Sequence, residues 1–431
     1  MRIFAAKQAR AVALVVAAAA LPRLAVLALE RGSILTAYTE KSDDFAQTFV
    51  ASGTFGFVAG HPSASTQPVY SFFLIPLYWL FGRSWEVVGI AQIVLAATTA
   101  VLVYFIGRLV VPRLAVLAAV VSTLNPYLIW HDVHVNREIT DQVLLAGLVL
   151  VTLLVIRRGS RFLPVLLGVL AGLAILGNSR LALLPLVLAA FVWFRSERRR
   201  VLPALIIVVA AGVVVAPWMI RNDVSVGCFT ITTDARALWK ANNALTYDTL
   251  AAGKWIDDVP QPASFPPTPE DVASIYRQTG HYIPINECAQ MRYFEHVTEK
   301  YVEHHPGEKA KLALQATMLL WDPRVHETQG RPGKGTWRDV ARRIVEPIWA
   351  LPIMLLALAG LFLAVDRAFV LLAGSLLLYN TFAAMVFAGT TRYRVPFDFL
   401  LVLLAAGAVD RWWSRSRYTA STPSAAAPAE N

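Results

Sequence analysis

The sequence predicts an all-α polytopic membrane protein with about 10–11 transmembrane helices. Hydrophobic residues make up 56% of the 431 positions and charged residues 16%, and the mean hydropathy is +0.53. That composition excludes a water-soluble globule and is ordinary for a chain that crosses a bilayer repeatedly. Apolar runs recur, and Lys and Arg gather in the short connectors between them, which is how membrane helices are oriented. The net charge of +10 has the same origin, so nucleic acid is not an expected partner.

The first helix starts after Arg2, Lys7 and Arg10 and continues past Pro22-Arg23 to about Leu29. A run of that length spans a hydrocarbon core of about 30 Å, so it reads as a transmembrane helix and not as a cleaved secretory signal. Arg23 falls in its outer half, either snorkelling outward or holding an anionic lipid phosphate. Further apolar runs follow at 87–107, 113–130, 138–156, 162–178, 180–194 and 203–219, then at 345–364, 367–388 and 395–410. Pro68–Gly82 is too short for a comfortable span and reads as interfacial or re-entrant, a true crossing being the alternative. The expected organisation is a catalytic transmembrane module over 1–220 with a first outer loop at 30–86, a small, mainly helical extracytoplasmic domain over 221–344, C-terminal helices over 345–412 and a disordered cytoplasmic tail over 413–431.

The basic clusters at Arg108 and Arg113, Arg157-Arg158 and Arg161, Arg195 and Arg198–Arg200, Arg367, and Arg411, Arg415 and Arg417 should be cytoplasmic, as should both termini. Alternating the spans from these anchors gathers the unusual polar residues on the opposite face: the loop opened by Asp43-Asp44, Glu138, Arg180, the polar segment from Arg221 to Arg343, and Arg392. Cys228 and Cys288 form no CxxC pair or metal spacing; they could bridge if both face an oxidising compartment. His131, Asp132 and His134 invite a metal reading, but no fourth partner stands at a telling spacing. His304-His305 and His326-Glu327 read as surface residues.

An ordered set of motifs runs along the chain. Asp43-Asp44 leads into Gly53-Thr54-Phe55-Gly56-Phe57, Gln67-Pro68-Val69-Tyr70 and Phe81-Gly82; then come Asn125-Pro126 with Glu138, Arg180, Pro217-Trp218-Met219-Ile220-Arg221-Asn222, Lys240 with Asn242-Asn243, and Thr391-Arg392-Tyr393 followed by Pro396. In these the chain resembles the GT-C superfamily of glycosyltransferases. The nearest branch is the one that includes the protein O-mannosyltransferases and the lipid A aminoarabinose transferase. The resemblance implies a GT-C fold in the plasma (inner) membrane with an extracytoplasmic site, a polyprenyl phosphate sugar donor, and a lipid, polysaccharide or protein acceptor. It also implies a first-loop acid as the catalytic carboxylate. Phe45 directly after Asp44 compresses the family's spacing, and Gln67 stands where the aminoarabinose transferases carry an acid.

The chemistry asks for such residues. An acceptor hydroxyl that attacks an anomeric carbon needs a carboxylate to take its proton, here Asp43 or Asp44; Asp43 is preferred, with Asp44 shaping the acceptor site or capping the next helix. The departing lipid phosphate needs positive charge, which Arg180, Arg221, Lys240, Arg392 and Arg394 offer with Tyr393. His61, Gln67, Glu138, Asn242 and Asn243 complete the expected substrate contacts. One in-line displacement inverts the anomeric centre. No obligatory metal is expected, although a divalent cation is possible. Trp239, Tyr247, Trp255, Tyr276, Tyr282, Tyr293 and Trp321 offer flat faces for sugar rings or for a small core. A ligase using a lipid-linked saccharide is the rival enzyme; a transporter would account for the helices but would show paired repeats and midplane breaks, which this sequence lacks.

Overall fold

The computed structural model describes residues 2–36, 40–158, 160–195, 201–325, 337–364 and 366–420. His326, Glu327 and the tail beyond Ala420 lie outside them. Among the described residues the protein is helical, with no strand beyond an isolated bridge between Val58 and His61. The first half contains α1 (Arg2–Glu30), α2 (Lys41–Ser52), α3 (Pro68–Phe81), α4 (Trp85–Val110), α5 (Ala115–Thr123), α6 (Pro126–His131), α7 (Glu138–Arg158), α8 (Phe162–Gly177), α9 (Leu184–Arg195) and α10 (Val201–Val226). Between the two membrane sets lie α11 (Arg236–Lys240), α12 (Thr246–Ala251), α13 (Pro269–Thr279), α14 (Glu287–His304) and α15 (Pro306–Trp321). The chain closes with α16 (Trp337–Leu363), α17 (Arg367–Val386), α18 (Thr391–Arg394) and α19 (Asp398–Ala420).

Among the described residues, six helical segments have the length and hydropathy to cross a membrane: Ala6–Leu35, α4, α7, α10, Arg343–Leu363 and α17. The apolar helices α3 and α8 are shorter. Where the sequence shows one continuous run at 113–130, Asn125-Pro126 divides it. Proline disfavours helical geometry in the residue before it, and Asn125 adopts ψ 119° while its side chain caps α6 by accepting from Tyr127 N at 2.9 Å. A similar break at extended Asn178 ends α8 and turns out the short segment that carries Arg180. The outward faces of α1, α10 and α16 are studded with exposed Leu, Val, Ile and Phe, including Leu21, Leu205, Val213, Leu355 and Phe362, as lipid contact requires.

Helix pairing rests on small residues as well as on apolar ones. A Cβ added to Gly168 would lie 2.6 Å from both Ala210 Cβ and the Ile207 carbonyl oxygen, and one at Gly172 would lie 2.9 Å from the Ala211 carbonyl oxygen. The Gly-xxx-Gly face of α8 thus lets α10 approach backbone to backbone. Polar contacts at one end of the bundle tie Arg113 to Asp410 at 3.7 Å, Arg157 to Asp366, and Arg157 Nη1 to the Leu109 carbonyl oxygen at 3.0 Å. These belong to the basic clusters that the sequence groups on one face.

Arg23 departs from both sequence expectations. It is 1% exposed, and its Nη2 and Nε donate to Asp132 Oδ2 at 2.7 and 2.9 Å. The reason is that α1 packs against α4 and α5, so this face of the helix looks into the bundle and not toward headgroups. Asp132 also accepts from Gln142 Nε2 at 2.8 Å. Gln92 Nε2 donates to the Asp132 and His134 carbonyl oxygens at 2.8 and 2.9 Å, and Tyr70 donates to Gln92 Oε1 at 2.6 Å. One polar network therefore joins α1, α3, α4, α7 and the segment after α6.

The outer helices are fastened to the first loop. Cys228 and Cys288 are joined in a disulfide with their Cα atoms 5.3 Å apart, and Glu287 Oε2 accepts from Ala64 N at 3.0 Å and Thr233 Oγ1 at 2.8 Å. Trp239, Phe265 and Phe294 form a small aromatic core, whereas Tyr276 and Tyr293 remain exposed.

Two outcomes follow from these contacts. Asp132→Ala strands the buried Arg23 charge and should lower stability by about 3–5 kcal/mol, while the double variant Arg23→Met/Asp132→Leu should recover most of that loss in a thermal unfolding assay. Maleimide labelling of the denatured, unreduced protein should find no reactive thiol. The Cys288→Ser variant should lose up to about 4 kcal/mol, the entropy of a loop of this size.

Candidate active site

Among the described residues a cavity of ≈ 690 Å³ is bounded by the segment leading into α2, the start of α7, the helices α11 and α13, and α18. Its floor is formed by Glu40, Gln67, Arg137, Arg392 and Tyr393; its outer wall carries Asp234, Arg236, Lys240, Trp255 and Glu270. A volume of this order suits a small ligand.

Arg392 is the residue that draws the floor together. Its Nε donates to Glu138 Oε1 at 2.5 Å, and its Nη2 pairs with the carboxylate of Glu40. Glu138 opens α7, is 1% exposed, and also faces His131 Nε2 at 3.5 Å and Arg137 Nε at 3.7 Å. Gln67 is the N-cap of α3. Its Oε1 accepts from Arg137 Nη1 at 2.7 Å while its Nε2 donates to Ser179 Oγ at 3.0 Å, so it aims Arg137 at the cavity. Arg180 stacks over the Tyr393 ring at 3.8 Å and donates to the Ala388 carbonyl oxygen at 3.1 Å. With Glu138 and Asp141 it lines a smaller hollow beside Arg392 and Tyr393.

The outer wall is a lattice of paired charges. Lys41 Nζ donates to Asp234 Oδ2 at 2.7 Å, and Arg236 Nη2 to Glu270 Oε2 at 2.5 Å. Burial pushes the Asp234 carboxyl up, but the charges of Lys41 and Arg236 outweigh it and hold the group below the usual range. Lys240 is lowered by burial, against the opposing pull of Asp257, whose carbonyl oxygen it reaches at 2.5 Å.

The two sequence-designated acids do not line this cavity. Asp43 is buried and fully engaged: Tyr78 donates to Oδ1 at 2.6 Å, and Arg83 donates to Oδ1 and Oδ2 at 3.1 and 2.6 Å. Adjacent helical residues diverge by about 100°, so Asp44 points another way, toward Arg277 at 3.5 Å, and burial raises its carboxyl with Arg277 opposing. Asp43 thereby anchors the first turn of α2, three residues after Glu40, the acid that does line the cavity.

Other expected ligands are engaged elsewhere. Arg221 Nη1 and Nη2 donate to the carbonyl oxygens of Ser63 and Phe55 at 2.9 and 3.0 Å, clamping the first loop to α10. Arg394 pairs with Asp398 at 3.1 Å and donates to the Asp322 carbonyl oxygen at 2.7 Å, fastening α15 to α19. Asn242 Nδ2 donates to the Val386 carbonyl oxygen at 2.9 Å and Asn243 Nδ2 to that of Trp239 at 2.9 Å, so both brace backbone. His61 stacks on Tyr282 with ring centroids 3.5 Å apart. Of the expected set, Gln67, Lys240, Arg392 and Tyr393 line the large cavity, and Arg180 and Glu138 line the adjoining one. Glu40, Arg137, Lys41 and Arg236 join the cavity without having been singled out. The signal for two of them was adjacency: Arg137 precedes Glu138, and Glu40 precedes the acidic pair by three residues. Asp132 of the suspected metal cluster is taken up by Arg23 and Gln142, and among the described residues no three His, Cys, Asp or Glu side chains converge as a metal site.

Residues 61–220 match the model of a family described as dolichyl-phosphate-mannose-protein mannosyltransferase. Among solved structures, the archaeal oligosaccharyltransferase AglB from Archaeoglobus fulgidus, in complex with an inhibitory peptide and a dolichol-phosphate, superposes with a TM-score of 0.50 at 13% identity, over 99% of this chain and 53% of that one. The chain therefore spans about half the length of that protein. No curated protein matches the sequence. The backbone likeness and the sequence resemblance agree on the GT-C fold.

Arg392→Ala should weaken binding of a polyprenyl phosphate about ten- to a hundredfold, the equivalent of about 1.5–3 kcal/mol for a charged hydrogen bond. Arg392→Lys should lose less, because it retains the charge without the fork. Equal affinity for wild type and the Ala variant, measured by titration in detergent, would show that the Arg392 guanidinium does not bind the phosphate.

Proposed function

On the GT-C membrane fold, we propose that this chain moves a sugar from a polyprenyl phosphate carrier to an acceptor hydroxyl at the extracytoplasmic face of the plasma (inner) membrane, with inversion at the anomeric carbon and both termini cytoplasmic. One observation carries the reading: a cavity of ≈ 690 Å³ on a polytopic helical bundle has cations and a carboxylate converging on its floor, among them Arg137, Arg392 and Glu40. Cations there suit a lipid phosphate whose charge rises as the sugar leaves, and a carboxylate suits the removal of the acceptor's proton. The match over 61–220 to a family described by dolichyl-phosphate-mannose supports the donor class. The likeness to a structure solved with a dolichol-phosphate supports the fold on which such a donor would sit.

The volume favours a single sugar phosphate with part of an acceptor over a whole glycan, which sets the ligase reading second. The acceptor would approach along the wall lined by Ser274, Asp257 and Lys240, which offers polar groups to its hydroxyls. The cations Arg137, Arg236, Lys240 and Arg392 would repel a divalent ion, and the carboxylates beside them are already paired. Phosphate stabilisation is accordingly assigned to side chains, with no obligatory metal.

Purified protein in native lipid, given a panel of polyprenyl phosphate sugars with mannose first, should consume one of them and pass the sugar to lipid, polysaccharide or protein in a membrane extract. Turnover should stay within about threefold after exhaustive chelation, a difference of only about 0.7 kcal/mol. Folded protein that leaves every carrier intact would remove the transferase reading; collapse on chelation, restored by manganese or magnesium, would overturn the metal-free mechanism.

A further inference from the structure

Glu40 is where the first outer segment turns into α2. It is extended (φ −117°, ψ 156°), occupies the N-cap position, and its carbonyl oxygen accepts from Asp43 N at 2.9 Å. Of the three acids at positions 40, 43 and 44, Glu40 alone lines the cavity. Its carboxylate is not idle there, because it is paired with Arg392, the two side chains being 12% and 10% exposed. The same guanidinium holds Glu138, a residue of the bundle interior flanked by His131 and Arg137. Arg392 therefore faces one carboxylate carried by a membrane helix and one carried by a loop at the cavity edge. An incoming anion can replace the second far more readily than the first, since Glu138 has no water to retreat into.

We propose that the Glu40–Arg392 pair is a resting contact that the donor's phosphate replaces, and that the carboxylate so released is the base that takes the acceptor's proton. The inference rests on the donor class given under Proposed function and identifies how that site is armed. The acceptor O–H gives its proton to Glu40 as the acceptor oxygen bonds to the anomeric carbon. The bond from that carbon to the phosphate oxygen breaks, and its electron pair leaves with the polyprenyl phosphate, whose charge goes from one negative to two beside Arg392. Until the donor arrives, the base is masked by the cation that the donor needs, so the acceptor's hydroxyl is not deprotonated in an empty site. Asp43 is a positioning residue here: by engaging Tyr78 and Arg83 it fixes the turn that presents Glu40.

The test titrates farnesyl phosphate, a short prenyl chain bearing the leaving group's phosphate, into full-length protein in nanodiscs, with inorganic phosphate as control. Glu40→Gln removes the competing charge, so it should bind farnesyl phosphate about three- to tenfold tighter than wild type. The same variant should transfer sugar at least about a hundredfold more slowly, using whichever carrier wild type consumes. Glu40→Asp, which keeps the charge on a shorter arm, should fall between them in both measurements, and thermal unfolding reports whether each variant is folded. Unchanged or weaker farnesyl phosphate binding in both variants, with saturable binding by wild type, would overturn the masking; tighter binding with turnover retained would overturn Glu40 as the base. Wild type that binds farnesyl phosphate no better than inorganic phosphate would defeat the donor reading itself, and the masked base with it.

Discussion

The burial of Arg23 against Asp132 is the constraint on which much of this bundle depends. A guanidinium 1% exposed inside a membrane protein has no solvent to fall back on, so its position dictates where its partners lie. Asp132 must face α1; Gln142 on α7 and Gln92 on α4 must turn toward the same point; Tyr70 on α3 follows Gln92. Apolar packing between membrane helices tolerates sliding, whereas a chain of hydrogen-bonded charges and amides fixes register. The start of α7 is placed by this network, and with it Arg137 and Glu138.

From that fixed point the site is built outward by a second set of ties. Gln67 couples the first loop to Arg137 and Ser179, Arg221 holds the same loop by two carbonyls, and Glu287 with the Cys228–Cys288 bridge lays the outer helices over it. Several polar residues that look like substrate ligands in a linear reading are these ties. Membrane interiors and their margins contain few waters, so a polar side chain there is engaged either by substrate or by another group of the protein, and sequence alone does not separate the two.

Much of the architecture was legible beforehand for a simple reason: hydropathy reports solvent, and a bilayer is a solvent with sharp boundaries. The helices α4, α7, α10, α16 and α17 lie where apolar runs predict them. What escaped was interruption and direction. The break at Asn125-Pro126 is a proline effect hidden in an apolar run. The true environment of Arg23 depends on which face of α1 meets α4. In the acidic loop the adjacent Asp43-Asp44 pair is the more prominent motif, whereas Glu40 owes its place at the cavity to the turn into α2 and to Arg392 far along the chain. A contact between residues so distant leaves no trace in local pattern.

That distance carries a consequence for how the protein is made. Arg392 and Glu138 are separated by 254 residues, and Glu138 enters the bilayer long before its cation has been synthesised. For that interval the nascent chain holds a carboxylate at the head of α7 whose permanent counter-charge is still to come, and it must be sheltered by neighbouring Arg137, by lipid headgroups or by the insertion machinery. Completion of the cavity floor thus waits for α18, which brings Arg392 to Glu40 and Glu138. A chain truncated before α18 would lack Arg392 and so leave the Glu138 carboxylate without the cation that holds it in the finished bundle.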